Sequence, residues 1–175
     1  MFGNFVFYFV IVLVLAIFLT AAIAGFSAAP YVPTFTRDVK RLLELAGVTK
    51  DELVVDLGAG DGRFLIAAIR YGARAIGYEI SLLLYCIAQA TITLRRLRGK
   101  IRIVYKNFYD CNLGNADVIC CFLTPKAMKR LEPKFERECK RGARVVSYAF
   151  KLPQRKPSMV SKPTQTSTPI FLYVY

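Results

Sequence analysis

The sequence predicts an α/β domain with a doubly wound, mainly parallel sheet, preceded by an N-terminal transmembrane helix. Two observations carry this prediction: residues 1–36 contain no charged side chain, and the rest of the chain alternates short apolar strands with helices. Such alternation is typical of a parallel sheet covered by helices on both faces. The length of 175 residues suits one domain. We therefore divide the chain into an anchor, residues 1–28, and a domain, residues 29–175.

The N-terminal segment from Phe5 to Ala24 contains only uncharged and mostly apolar residues. As a helix it would be ~30 Å long, which matches the thickness of a bilayer core. A cleaved signal peptide is the alternative, since Ala28 and Ala29 suit a cleavage site, but no basic residue precedes this long apolar run. Basic residues follow it from Arg37 onward, which places the domain on the cytoplasmic side of a single-pass membrane protein.

The charged residues are confined to the domain and are mostly basic. All 25 Lys and Arg and all 12 Asp and Glu follow residue 36, and the net charge is +13. A surface this basic attracts anionic lipid or nucleic acid, and a solvated basic face is the third interpretation. The chain has no histidine, the commonest metal ligand and general base, so we expect no metal site. Its five cysteines include no C-x-x-C pair and are expected to be reduced in a cytosolic domain.

The expected elements follow one another in a regular order. Pro30 and Pro33 oppose helix formation in the linker, and a helix over Arg37–Ala46 follows, with Thr36 as N-cap and Gly47 at its end. The predicted strands are Glu52–Leu57, Arg74–Ile80, Lys100–Lys106, Ala116–Leu123, Ala143–Phe150 and a final antiparallel Ile170–Tyr175. The predicted helices between them are Asp61–Tyr71, a helix capped by Ser81 and ending near Leu97, and Pro125–Arg141, in which Pro133 is a candidate break.

A glycine-rich turn joins the first strand to its helix. Asp56 ends the strand, and Gly58, Gly60 and Gly62 follow at every second position. Glycines let the backbone turn sharply and approach a ligand closely, and the start of the helix adds free N–H groups. Glu79 ends the second strand, about twenty residues further on, where a carboxylate can bind ribose hydroxyls. The pattern indicates a nucleoside site, and an ordinary strand–turn–helix connection is the alternative.

This acid-then-glycines pattern differs from the G-x-G-x-x-G of dinucleotide sites. It resembles motif I of the seven-strand, class I methyltransferases, which have a Rossmann-like fold. The resemblance implies S-adenosylmethionine as the cofactor, oriented by Asp56, packed on the glycine turn and held at its ribose by Glu79. It also implies that Asn107 and Phe108, after the third strand, contact the adenine. For Phe108 a plain core position is the alternative.

Further segments resemble a family of small membrane-anchored methyltransferases, whose mitochondrial members methylate a lysine in the c subunit of ATP synthase or in the adenine nucleotide translocase. These segments are Pro30–Thr34, Phe122–Pro125, Leu131–Lys134 and Gly142–Ser147. The resemblance implies a protein-lysine N-methyltransferase that acts on a membrane or membrane-associated protein. By it, Tyr31, Thr34 and Thr36 close over the cofactor. Thr124 and Pro125 border the acceptor pocket, unless they only start a helix, and Tyr31 is alternatively a membrane-interface aromatic.

Other functions fit parts of the same sequence. The basic cluster from Arg95 to Arg102 favours nucleic-acid methylation, although the chain lacks the N-P-P-Y-like motif that such enzymes often carry. A small-molecule methyltransferase and a non-catalytic cofactor-binding membrane protein are further alternatives. Anchoring favours a protein acceptor at the membrane, because it confines enzyme and acceptor to one surface. The expected partners are therefore the bilayer, through the N-terminal helix, and a protein substrate.

Overall fold

The computed structural model describes residues 2–27 and 32–175, with side chains for residues 4–12, 14–20 and 32–175. Its helices are α1 (Phe2–Ser27), α2 (Thr36–Ala46), α3 (Arg63–Ala68), α4 (Leu82–Leu94) and α5 (Pro125–Glu138). Its strands are β1 (Leu53–Leu57), β2 (Arg74–Glu79), β3 (Ile101–Tyr105), β4 (Val118–Cys121), β5 (Arg144–Tyr148), β6 (Met159–Ser161) and β7 (Ile170–Val174). Short 3-10 turns cover Ile69–Tyr71 and Phe108–Asp110.

The strands form one seven-stranded sheet in the order β3-β2-β1-β4-β5-β7-β6. Strands β1 to β5 are parallel to one another, whereas β7 runs antiparallel to β5, and β6 antiparallel to β7. The predicted doubly wound, mainly parallel sheet with an antiparallel last strand is thereby confirmed. Strand β6 has no counterpart among the predicted strands, because its three residues are largely exposed and show no apolar alternation.

The two faces of the sheet bury separate apolar clusters, one under α5 and the other under α2. The neighbouring residues Cys120 and Cys121 of β4 belong to different clusters, because successive side chains of a strand point to opposite faces. All five cysteines are free. The parallel register brings the carboxyl ends of β1, β2 and β4 to one edge, where Asp56 lies between Gly77 and Cys120. That edge is where ligands bind in open α/β sheets.

Gly77 of β2 lies where a side chain would contact α3 and the glycine turn. A Cβ atom at this position would lie 2.6 Å from Ala59 Cβ, 2.6 Å from Leu65 Cδ1 and 2.9 Å from Ile103 Cδ1. Carbon atoms in favourable contact are ~3.5–4.0 Å apart. A side chain at Gly77 would therefore push α3, or the turn that contains Ala59, away from the sheet.

The start of α2 and the candidate break in α5 differ from the sequence prediction. Thr36 is not the N-cap of α2: this helix begins at Thr36, and the Phe35 carbonyl before it accepts hydrogen bonds from Asp38 N and Val39 N. Gly47 ends the helix in the left-handed region, with a φ of 59°, as predicted. Pro133 does not interrupt α5, because this residue is exposed and the backbone carbonyl that loses its partner can be solvated.

Helix α1 displays mostly apolar side chains to solvent, among them Phe5 (72% exposed) and Phe18 (68% exposed). Near its C-terminal end it contacts α4, where the Leu82 N–H donates to Thr20 Oγ1 at 3.3 Å. Among the side chains that the structure describes, no helix offers an apolar stretch long enough to cross a membrane. The transmembrane anchor and the single-pass topology, like the alternative signal peptide, stay predictions.

Candidate functional site

A cavity of about 310 Å³ opens at the carboxyl edge of β1, β2 and β4. Its volume lies within the ~300–1,000 Å³ that is usual for small-molecule sites. Six of the residues predicted from the sequence as cofactor contacts line it together: Thr34, Asp56, Gly58, Gly60, Glu79 and Phe108. The cleft beside the glycine turn is therefore open, and both predicted carboxylates face it.

The glycine turn is held against the second strand by its backbone. The N–H groups of Gly58 and Ala59 both donate to the Tyr78 carbonyl at 3.0 Å. Gly58, Gly60 and Gly62 have φ values of 87°, 56° and 81°, which only glycine adopts without strain. Helix α3 consequently starts at Arg63, with Gly62 at its N-cap, instead of at Asp61 as predicted. Gly62 lies outside the cavity lining, so its contact with the cofactor stays a prediction.

Glu79 connects the glycine turn to the start of α4. Its Oε2 accepts from Gly60 N at 2.8 Å, and its Oε1 accepts from Ile80 N at 2.9 Å and Ser81 N at 2.7 Å. A carboxylate has about four lone-pair positions, so three bonds leave room for one further donor at Oε2. Glu79 is thus placed to accept a hydroxyl while it also fixes the turn that surrounds the cavity.

Asp56 is a buried acid without a described partner. Its exposed fraction is 7%, and within the described residues no donor hydrogen-bonds to it and no cation pairs with it. Burial, and then the nearby charges of Glu79 and Asp61, raise the pKa of Asp56 well above its usual range. Such a carboxylate at a cavity wall is stabilised by a ligand that brings a positive charge and N–H donors.

Arg63 fastens the linker before α2 to the glycine turn. Its guanidinium forms a forked ion pair with Asp61, with Nη2 2.7 Å from Oδ2 and Nε 3.0 Å from Oδ1. Its Nη1 donates to the Thr34 carbonyl at 3.0 Å. The linker residues Val32 to Thr34 therefore form one wall of the cavity. Arg63 was not among the predicted site residues, although its position directly after the last glycine of the turn was the available signal.

An aromatic wall closes the cavity beside β4 and β5. The rings of Phe122 and Tyr148 meet edge to face with their centroids 4.8 Å apart, and both residues line the cavity with Leu123. The Tyr148 hydroxyl donates to the buried Asp38 Oδ2 of α2 at 2.7 Å, which fixes its ring. Burial is the first cause that raises the pKa of Tyr148. Tyr148 was also missed, because only the folded sheet brings the end of β5 to this cavity.

Among the described residues, the other predicted ones lie outside the cavity lining, and their roles toward cofactor or acceptor stay predictions. Thr124 is the N-cap of α5, where Oγ1 accepts from Ala127 N at 3.3 Å, and Pro125 is the first residue of this helix. Asn107 Oδ1 accepts from Tyr109 N at 3.0 Å and so caps a 3-10 turn. Thr36 is exposed at the first position of α2. Tyr31 lies outside the described residues.

The residues of this cavity fit S-adenosylmethionine, a nucleoside that carries an ammonium and a sulfonium group. The Asp56 carboxylate, to which no described residue is paired, offers the opposite charge, and Glu79 offers an acceptor for a ribose hydroxyl. Phe108 supplies an apolar surface for a base. Six of the sequence-predicted residues thus line one cavity, whose chemistry fits this cofactor.

Comparison with known proteins identifies methyltransferases that are similar to this chain. A family model described as the ANTKMT methyltransferase domain matches residues 56–159. A protein-lysine N-methyltransferase of Saccharolobus islandicus is 37% identical over 148 residues, which cover 83% of this chain and 92% of that protein. The adenine nucleotide translocase lysine N-methyltransferase of Mus musculus is 34% identical over 132 residues, which cover 75% of this chain and 57% of that protein.

A solved methyltransferase structure is also similar to this chain. An RNA methyltransferase from Salinibacter ruber in complex with S-adenosyl-L-homocysteine has a TM-score of 0.78 and 28% identity, covering 82% of this chain and 93% of that one. A family match over more than half of the chain and this relative with its bound cofactor product lead to one conclusion. The chain belongs to the ANTKMT methyltransferase domain family and is an S-adenosylmethionine-dependent methyltransferase.

Proposed function

We propose that this enzyme methylates the side-chain amine of a lysine in a protein. The observation that carries the proposal is the 37% identity to a protein-lysine N-methyltransferase, over 92% of that protein's length. The cavity is compatible with it, because Phe122, Leu123 and Tyr148 form an apolar wall, against which we place the acceptor. An apolar wall suits the aliphatic stem of a lysine and disfavours its charged form.

The chain's own residues account for binding and for activation of the acceptor. When bound, the cofactor supplies an activated methyl group on a sulfonium sulfur. Asp56 would hold the ammonium end of the cofactor and Glu79 its ribose, and this placement would fix the direction from which an amine can approach. Free lysine has a pKa near ~10.4, and removal from water beside Phe122 and Tyr148 lowers it. The lysine therefore loses its proton to solvent before transfer, and alignment lowers the rest of the barrier.

We further propose that the acceptor protein lies in or at a membrane, with α1 associated with the bilayer and the domain on its cytoplasmic side. The exposed apolar side chains of α1, such as Phe5, Phe9 and Leu15, support association with lipid. The basic residues that follow the segment, Arg37 and Lys40 among them, support the orientation.

RNA methylation is the second candidate function. It is favoured by the likeness to the Salinibacter ruber RNA methyltransferase at a TM-score of 0.78, and by the net charge of +13. The two candidates differ in the acceptor atom and in the macromolecule that becomes labelled. Both use the same cofactor site, so cofactor binding alone does not separate them.

The test is transfer of radioactive methyl from S-adenosylmethionine by the full chain into membrane proteins and, separately, into total RNA. We expect label in protein, resistant to ribonuclease and recovered as methyl-lysine by mass spectrometry. The Asp56→Asn variant should lose transfer, whereas Asp51→Asn, an exposed position with a φ of 67°, serves as the matched control and should retain it. Label recovered only in ribonuclease-sensitive material would overturn lysine methylation in favour of RNA methylation.

A further inference from the structure

The outward face of α4 is apolar although it is exposed. The helix LLLYCIAQATITL contains no charged residue, yet of its residues only Ala88 and Ile92 are fully buried. Leu83, Ile87 and Leu94 are 47%, 42% and 83% exposed. Their spacing of four and seven residues puts them on one stripe of the helix. A contiguous exposed apolar stripe of this kind marks a surface that meets another apolar phase.

The stripe runs directly into a cluster of exposed cations. Arg95, Arg96, Arg98 and Lys100 follow the last turn of α4, and all four are exposed. No acidic residue occurs in the sequence between Glu79 and Asp110. Within the part of the chain that the structure describes, no ion pair involves this cluster. The cluster therefore offers its full charge to an external anion.

We propose that the stripe and this cluster, together the α4 surface, lie on an anionic membrane leaflet. An apolar stripe bordered by cations is the pattern of helices that lie in the plane of a bilayer interface. Lipid accounts for both the stripe and the cluster, since acyl chains receive Ile87 and Leu94 while phosphate groups receive the cations. RNA would account for the cations alone, because the side chains of the stripe are aliphatic and stack poorly on bases.

The position of the α4 surface in the fold gives it a consequence for the enzyme. Ser81 and Leu83, at the start of α4, line the cofactor cavity, and Leu82 is hydrogen-bonded to Thr20 of α1. Seating α4 on lipid therefore holds the cavity close to the membrane surface beside the end of α1. The surface orients the domain on the bilayer, because it adds a second point of contact to the one through α1. This inference concerns lipid contact and does not depend on which acceptor is methylated.

The chain contains no tryptophan, so one introduced residue reports on one place. The full chain carrying Leu94→Trp is mixed with phosphatidylcholine vesicles, with or without phosphatidylglycerol, in the absence of cofactor. We expect a blue shift of tryptophan emission, and quenching by brominated lipid, only with the anionic vesicles. The matched reporter is Val160→Trp, at a residue 54% exposed on β6 at the opposite edge of the sheet, whose emission should not shift.

Charge neutralisation tests the second half of the α4 surface. The first set of substitutions, made in the Leu94→Trp chain, combines Arg95→Gln, Arg98→Gln and Lys100→Gln. The control set replaces three exposed cations toward the β6 side and combines Lys151→Gln, Lys156→Gln and Lys162→Gln. Each cation near an anionic leaflet contributes about a fivefold gain in affinity, so the first set should weaken the lipid-dependent shift on the order of 100-fold. The control set should weaken it far less, and added salt should act like the first set.

Four results would overturn the proposal. If the emission of Leu94→Trp stays unshifted with anionic vesicles, the stripe does not contact lipid, even if α1 keeps the protein bound to the vesicles. A shift that rises with protein concentration without lipid assigns the surface to a second copy of the chain. Equal losses from both glutamine sets, or a loss of RNA binding without a loss of lipid binding, removes the lipid role of the cluster. Each readout is independent of methyl transfer, so none of them depends on the proposed acceptor.

Discussion

Replacing Gly77 by alanine should destabilise the domain and weaken its cofactor site together. The added Cβ would lie 2.6 Å from both Ala59 Cβ and Leu65 Cδ1, about 1 Å closer than carbon contacts allow. Crowding of a packed core costs up to ~3 kcal/mol, and the better backbone entropy of alanine returns up to ~1 kcal/mol. The expected net loss is ~2 kcal/mol in the free energy of unfolding, or about 4–8 °C in Tm.

Urea unfolding followed by circular dichroism measures the first effect, as a lower midpoint with an unchanged slope. Calorimetric titration with S-adenosylmethionine measures the second, since Ala59 lies in the turn that is bound to the Tyr78 carbonyl. We expect affinity to fall on the order of tenfold, which equals ~1.4 kcal/mol. Gly99→Ala is the matched control, because nothing lies within 4 Å of a Cβ there, and its stability should stay equal or rise by up to ~1 kcal/mol. A Gly77→Ala protein as stable as Gly99→Ala would refute the reasoning from close packing.

Three further predictions concern the same region. Arg63→Gln should raise KM for S-adenosylmethionine severalfold, because the hydrogen bond from Arg63 to the Thr34 carbonyl holds the linker at the cavity. It should cost under ~1 kcal/mol of stability, because the ion pair of Arg63 with Asp61 is partly exposed. Equal kinetics in Arg63→Gln and the exposed control Arg74→Gln would contradict this. Since the pKa of Asp56 is raised in the folded protein, the ligand-free protein should lose stability as pH rises above ~4. The Asp56→Asn protein should lack this pH dependence and be more stable than the unaltered chain at pH 7. Urea titrations across pH measure both effects. Iodoacetamide should label the exposed Cys86 first in the native protein, because burial raises the pKa of Cys111 to about 11 and those of Cys121 and Cys139 to about 12. Mass spectrometry measures the order of labelling. Equally fast labelling of a buried thiol would contradict the described packing of the core.

The sheet and the centre of the site could be predicted from the sequence because both follow from local patterns. Apolar strands that alternate with helices require a parallel sheet, and the carboxyl ends of parallel strands meet at one edge. Asp56, Gly58 and Glu79 end or follow neighbouring strands, so their meeting in the cavity was predictable. The pattern alone could not show that the space between these residues is an open cleft.

Features that depend on tertiary contacts were not predictable. Tyr148 reaches the cavity because β5 is seated beside β4, and its hydroxyl binds Asp38 at a sequence separation of 110 residues. The Phe35 carbonyl, a backbone group without a sequence signature, receives the bonds at the start of α2 that Thr36 was expected to receive. The sequence predicted Glu79 only as a residue that binds the ribose, yet its carboxylate also accepts hydrogen bonds from three backbone N–H groups. Backbone partners and distant neighbours leave no periodic trace in the sequence.

The Asp56 carboxylate, which has no partner among the described residues, is the group on which binding of a cationic nucleoside should depend most. Calorimetric titration of the full chain with S-adenosylmethionine tests this directly, with Asp56→Asn beside the exposed control Asp51→Asn. Hydrogen bonds to a charged group contribute ~1.5–3 kcal/mol, so Asp56→Asn should bind at least about tenfold more weakly, and Asp51→Asn should bind like the unaltered chain. Equal affinity in all three proteins would contradict the assignment.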